Sequence, residues 1–145
     1  MDNAGLYNLG DVTITAALTD SVITLGSSAA GAVQALIDRL NGMTSASVQA
    51  TFVYGSGGTT VVAVVQTSLD QGASWIDILR FDFATSNAKK IGNVSAAGAL
   101  APAAVAALGA EGKLDGILGD RLRVKVTSTG TYGGNTSLSM RAAVR

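Results

Sequence analysis

Five consecutive residues, Val61-Val62-Ala63-Val64-Val65, are apolar whichever way an extended chain is turned. Successive side chains of a strand point to opposite faces, so this run needs cover on both sides. A second sheet supplies one cover, and a further layer or subunit the other. Ala46 to Tyr54 and Thr59 to Thr67 are rich in Val, Phe, Tyr and Thr, as strands are. Gly55-Ser56-Gly57-Gly58 lies between them and supplies the backbone freedom of a tight hairpin. A phosphate loop would be followed by a helix and bring a Lys nearby; here a strand follows.

Ser74 to Phe83 reads as the next strand, with Trp75, Asp77, Leu79, Phe81 and Phe83 on one face and Ile76 and Ile78 on the other. Lys89 to Ser95 is a weaker strand. In Asp120 to Thr127, Leu122, Val124 and Val126 alternate with Arg121, Arg123 and Lys125. In Thr136 to Val144, Leu138, Met140, Ala142 and Val144 alternate with Ser137, Ser139, Arg141 and, just beyond, Arg145. Thr129 to Asn135 reads as the hairpin loop that joins these two strands. Upstream, Val12 to Thr15 and Val22 to Leu25 read as one or two short strands or as an extended arm.

One helix is expected. Val33, Leu36, Ile37 and Leu40 fall at i, i+3, i+4 and i+7, behind a Ser27-Ser28 cap and ahead of an Asn41-Gly42 stop. Gly92 to Ala110 carries no charge, but it is mostly Ala and Gly with Pro102 in the middle, so a membrane span is not expected. It reads as a long surface crossover with a helical turn at Ala103 to Leu108. The fold class is therefore mainly β: an antiparallel β-sandwich, jelly-roll-like, with one short helix and a long Ala-rich crossover. Residues 1–26 form an arm or edge strands, and 27–145 a single sandwich domain.

The chain has no Cys and no His, which removes thiol nucleophiles, imidazole bases and the usual zinc and haem ligands. Ten Lys+Arg balance ten Asp+Glu, and charged residues make up only 14%. No global field draws such a chain to nucleic acid, and low-charge surfaces tend to associate. Met1 to Gly5 has no basic or apolar character, so a Sec-type signal is not expected there.

Ser68-Leu69-Asp70-Gln71-Gly72-Ala73-Ser74-Trp75 resembles the Asp-box of sialidases and other β-proteins, with Ser74 where Thr is usual. Asp70 can bond the amides ahead of it, Gly72 can turn left-handed, and Trp75 can pack over the loop. Ser68, Asp70, Gly72 and Trp75 are thus expected to build a structural turn, as the box does in those families. A glycosidase pair, Asp70 with Asp77 or Asp82, is the sharper alternative; ion pairing of Asp77 and Asp82 with Arg80 is the simpler one. Asp115 to Asp120 has carboxylates and glycines but too few acidic ligands for a calcium loop. No catalytic residue, cofactor or metal is expected. If the last two strands pair, Arg121, Arg123, Lys125, Arg141 and Arg145 form one basic face, without the aromatics of a nucleic-acid reader, and expected to be either a solvated face or a salt-bridged contact with an acidic protein partner.

From Phe52 to Arg145, the runs Tyr54 to Thr59, Gln66 to Ile78, Asp115 to Val126 and Gly130 to Thr136 resemble small structural proteins of tailed bacteriophages and prophages. The resemblance implies a virion protein, made in the bacterial cytoplasm and residing on the capsid surface. It also implies a capsid decoration, or cement, protein that binds the major capsid protein and forms homo-oligomers, trimers foremost. It transfers no catalytic residue. A head-to-tail connector or tail component is the alternative within that class; a carbohydrate-binding sandwich on the virion surface is the alternative outside it.

Overall fold

A computed structural model describes residues 4–23, 40 and 42–145. Its strands are β1 (Gly5–Thr13), β2 (Ser21–Ile23), β3 (Ser45–Val53), β4 (Ser56–Gly57), β5 (Thr60–Thr67), β6 (Ile76–Phe83), β7 (Ala88–Ser95), β8 (Gly112–Lys113), β9 (Leu122–Thr129), β10 (Tyr132–Gly133) and β11 (Ser137–Val144). One sheet runs β1-β11-β3-β7 and the other β2-β9-β5-β6-β8. All pairings are antiparallel.

The inward residues are those the alternation picks out. Val48, Ala50, Phe52, Leu138, Met140 and Ala142 of the first sheet meet Val61, Ala63, Val65, Leu122, Val124 and Val126 of the second, all buried. Phe52 bridges the layers, stacking on Phe83 with ring centroids 5.0 Å apart and meeting Tyr132 edge-on at 6.1 Å. The pairs nest. β5·β6 is innermost, with β3·β7, β2·β9 and β1·β11 wrapped successively around it.

Three expectations change. First, β3 and β5 lie in different sheets, as do β9 and β11, so neither pair is a hairpin. The two glycine loops are corners where the chain crosses between sheets. They lie on each other, Ser56-Gly57 pairing with Tyr132-Gly133. A Cβ on Gly55 would stand 2.1 Å from the Gly134 carbonyl oxygen, so this backbone-on-backbone crossing demands glycine. A corner and a hairpin need the same residue, and only the partner strands tell them apart.

Second, β6 carries a bulge. Val65 pairs with Leu79 but Gln66 with Asp77, leaving Ile78 as the extra residue. The slip turns Asp77 to the outer face with Arg80 and Asp82, while Ile78 is fully buried.

Third, the long crossover between β7 and β8 is present without a helical turn at Ala103 to Leu108. Leu108 spends its N–H on Asp77 and its carbonyl on Arg80 instead of on helical partners.

Residues 5–13 and 21–23 are edge strands of the two sheets. Among the described residues there is no helix. The helix expected over Val33 to Leu40 lies outside them except for Leu40, which is buried and donates its N–H to the Asp120 carbonyl.

Candidate functional site

The turn at residues 68–75 joins β5 to β6 and is built from its own side chains. Ser68 Oγ accepts the Gly72 N–H at 2.8 Å and donates to Asp70 at 2.9 Å. Asp70 also accepts the Ser74 N–H at 2.8 Å and the Ser74 hydroxyl. The Ser74 hydroxyl and amide, with the Ser68 hydroxyl, hold the Asp70 carboxyl down at about 2. Gln71 and Gly72 take φ of 59° and 89°, which close the loop. Ser68 and Asp70 thus close the turn through their own side chains, and Gly72 through its backbone.

Trp75 leaves the turn on the outer side of the second sheet, where the Arg123 guanidinium lies 4.1 Å from its ring centroid. That indole face is occupied, so it offers no open platform for a sugar ring. Arg123 Nε donates to Gln66 at 2.8 Å, and Gln66 donates to Asp77 at 2.6 Å. Gln66 and Asp77 are both buried, at 4% and 6% exposure. Burial lowers the Arg123 pKa, with the Asp77 charge opposing. The chain Arg123–Gln66–Asp77 ends on the Leu108 amide at 3.2 Å, and Arg80 holds the Leu108 carbonyl at 2.7 Å.

Glu111 fixes the same crossover further along, taking the Asp82 N–H at 2.9 Å and Lys90 at 2.7 Å. Those two contacts bring its pKa below the usual carboxylate range. The crossover is thus clamped at residues 108–111 while Leu100 and Val105 stand exposed. Neither Gln66 nor Leu108 is conspicuous in the sequence; only the bulge brings Asp77 to them.

The carboxylates weighed as a catalytic pair are each engaged: Asp70 in its turn, Asp77 with Gln66 and Leu108, Asp82 with Arg80 at 2.7 Å. Asp115 bonds Lys113 and the Ser95 amide, and Asp120 bonds Arg121. The glycines around them serve packing. A Cβ on Gly119 would fall 1.7 Å from the Ser68 carbonyl oxygen, and the Gly119 N–H bonds the buried Thr67 hydroxyl at 2.9 Å. Among the described residues no group of three or more Asp, Glu, His or Cys is placed to hold a metal, and no helix is long and apolar enough to cross a membrane.

The five basic residues do not make one face. Arg121, Arg123 and Lys125 lie on the outer side of the second sheet; Arg141 and Arg145 belong to the first, because β9 and β11 never pair. Lys125 reaches Asp20 at 3.5 Å and Arg121 reaches Asp120 at 3.0 Å. Arg141 meets Asp11 at 3.0 Å. Burial pushes the Asp11 pKa upward, but hydrogen bonds from Arg141, Ser139 and Asn8 outweigh it and bring the group below its usual range.

The outer side of the first sheet is a different surface. Ser47, Gln49, Ala143 and Arg141 floor a shallow groove of about 580 Å³ that runs between Leu6 on β1 and Ile91 on β7. Leu6 and Ile91 are 86% and 80% exposed. Compared with models of known protein families and with curated proteins, the sequence finds no match.

Proposed function

We propose that this chain is a structural protein of a tailed-phage virion, a decoration protein that binds the major capsid protein and reinforces the shell from its outer surface. The observation that carries the reading is the crossover: an exposed, charge-free run with Leu100 and Val105 outward, clamped by Asp77, Arg80 and Lys90. A fixed apolar loop loses little conformational entropy when it docks, so each copy contributes usefully from a small contact. Repetition over a lattice then multiplies weak contacts into strong retention. Arg121, Arg123 and Lys125 lie on the same side as the Leu108 anchor and would border that contact. The order of the nested strands supports the jelly-roll form of the sandwich, a fold common in capsid and lectin domains.

The test is the copy number of this chain relative to the major shell protein in purified particles, by quantitative mass spectrometry. A lattice protein is expected in the hundreds, whereas a symmetric neck or tail ring would hold about a dozen, and that result would replace decoration with the connector reading. Particles stripped of the protein should also break at lower temperature. Equal heat resistance of stripped and intact particles removes the cementing role.

A further inference from the structure

We infer that the outer face of the first sheet is a docking surface for a second copy of this chain, packed sheet against sheet about a two-fold axis parallel to the strands. The inference stands apart from the virion reading, since it concerns only how two copies meet.

The cross-strand registers place the argument. Asp11, on β1, begins a row that continues through Ser139 and Thr51 to Lys89 on β7. The row thus carries an acid at one edge of the sheet and a base at the other, on one face. A two-fold axis between β11 and β3 lays the β7 of one copy over the β1 of the other. Each Lys89 then meets the other copy's Asp11, giving two reciprocal ion pairs from one self-complementary surface. Lys89 is exposed. Asp11 already holds Arg141 at 3.0 Å and keeps a lowered pKa, so it meets an incoming lysine as a carboxylate.

The same operation treats Leu6 and Ile91, the two most exposed large aliphatic residues among those described, alike. Leu6 starts the row that ends at Asn93, and Ile91 ends the row that starts at Asn8. With the sheets overlaid, Leu6 of one copy lies over Asn93 of the other and next to its Ile91. Two side chains 86% and 80% exposed in the single chain so acquire cover together, once at each end of the groove. Between them, Ser47 and Ala143 are small enough to let two sheets approach at the spacing of about 10 Å usual for packed sheets.

The area suffices. Four strands about 4.8 Å apart and about eight residues long, at about 3.3 Å per residue, present roughly 500 Å² per copy. Two copies then bury about 1,000 Å², the lower bound of a specific interface, so a dimer in the micromolar range is the expectation. A three-fold assembly, expected from the sequence, does not arise from a face that is complementary to itself.

Sedimentation equilibrium on the full chain across a concentration series tests this. A monomer–dimer equilibrium is expected. Lys89→Glu, which sets like charges over Asp11, and Ile91→Ser should each raise the dimer Kd at least tenfold with an unchanged circular dichroism spectrum. Placement is read independently by cross-linking, because the chain has no cysteine of its own. Leu6→Cys with Asn93→Cys puts two thiols on edges about 14 Å apart in one copy. In the proposed pair they face each other across sheets about 10 Å apart, too far for a disulfide but within reach of methylene bis-methanethiosulfonate, which is too short to join them within one copy. A dimer cross-linked by that reagent, absent from either single variant, is expected. A chain that stays monomeric at 100 µM or forms trimers overturns the inference. So does a dimer indifferent to Lys89→Glu and lacking the Leu6–Asn93 cross-link.

Discussion

The two outer faces of this sandwich start from the same alternating strands and end in opposite conditions. On the second sheet, the polar outward positions are turned into structure: Gln66 and Asp77 are buried, Arg123 lies over Trp75, and the crossover is tied down through Leu108. On the first sheet, the outward positions of β3 and β11 are small or uncharged, with one ion pair at Arg141, and Leu6 and Ile91 stand in solvent. The difference teaches where binding energy resides. Polar groups that already satisfy one another gain little by meeting a partner, because their bonds would have to be exchanged rather than added. On the second sheet it is therefore the exposed apolar crossover, with Leu100 and Val105, that can bind, and not the network beneath it. A face with bare aliphatic side chains and few fixed bonds gains with every covered atom.

The comparison breaks most completely if the layer common to both faces is removed. Phe52→Ala, in the core between the sheets, should cost about 3–5 kcal/mol in urea unfolding, as large-to-small changes of buried aromatics do. A cost under 1 kcal/mol would mean that Phe52 does not bridge the layers. Next is Asp77→Ala, which strips the covered face of its centre and leaves the Gln66 amide and the Leu108 N–H without their acceptor. A loss of about 2 kcal/mol is expected, together with faster proteolysis of the crossover near Ala103 to Leu108. Unchanged cleavage would show that the crossover is held by something else.

A smaller effect separates the turn from the sheets. Asp70 has its carboxyl lowered from 3.8 to about 2, so the fold favours its ionised form. This contribution is complete above about pH 4 and disappears as the pH falls toward 2. Asp11, Glu111, Asp115 and Asp120 are lowered as well and act in the same direction. The urea midpoint of the natural chain should therefore fall between pH 5 and pH 2, and that of Asp70→Asn should fall less; parallel curves would deny Asp70 its role. Smallest of all is Gln49→Ala on the open face. It should change the stability of the dilute, monomeric chain by no more than about 0.5 kcal/mol, and a larger loss would show the open face to be as internally bonded as the other.

How far the sequence could be read follows from the range of each interaction. The turn at Ser68 to Trp75 was legible because its bonds join residues two and four apart. The inward sets of β9 and β11 were legible because burial on one face imposes a period of two. The sheet to which a strand belongs was not. Gly55 to Gly58 and Thr129 to Asn135 show the glycines of a reversal, and both hairpins and corners between sheets use them. Strict alternation puts Asp77 on the wrong face because a single extra residue, Ile78, inverts the alternation without a mark in the composition. The basic face dissolved for the same reason as the hairpin, since it required β9 beside β11. The functional reading rests on a resemblance through loops and strand patterns, and the exposed Leu6 and Ile91 become meaningful only when the register puts them on one surface.

The nesting of the strand pairs also sets a timetable for a chain emerging from the ribosome. β5 and β6 are joined by a short turn and can pair almost as soon as both are outside. Asn8 and Arg141, in β1 and β11, are 133 residues apart. At roughly 5–20 residues per second, β1 waits on the order of ten seconds for its neighbour β11 to be made. During that interval Leu9, destined for the core, and an unpaired strand edge are open to other nascent chains or to a chaperone. The innermost turn is therefore where folding can begin, and the outermost pair is where synthesis in crowded, highly expressed conditions would first go wrong.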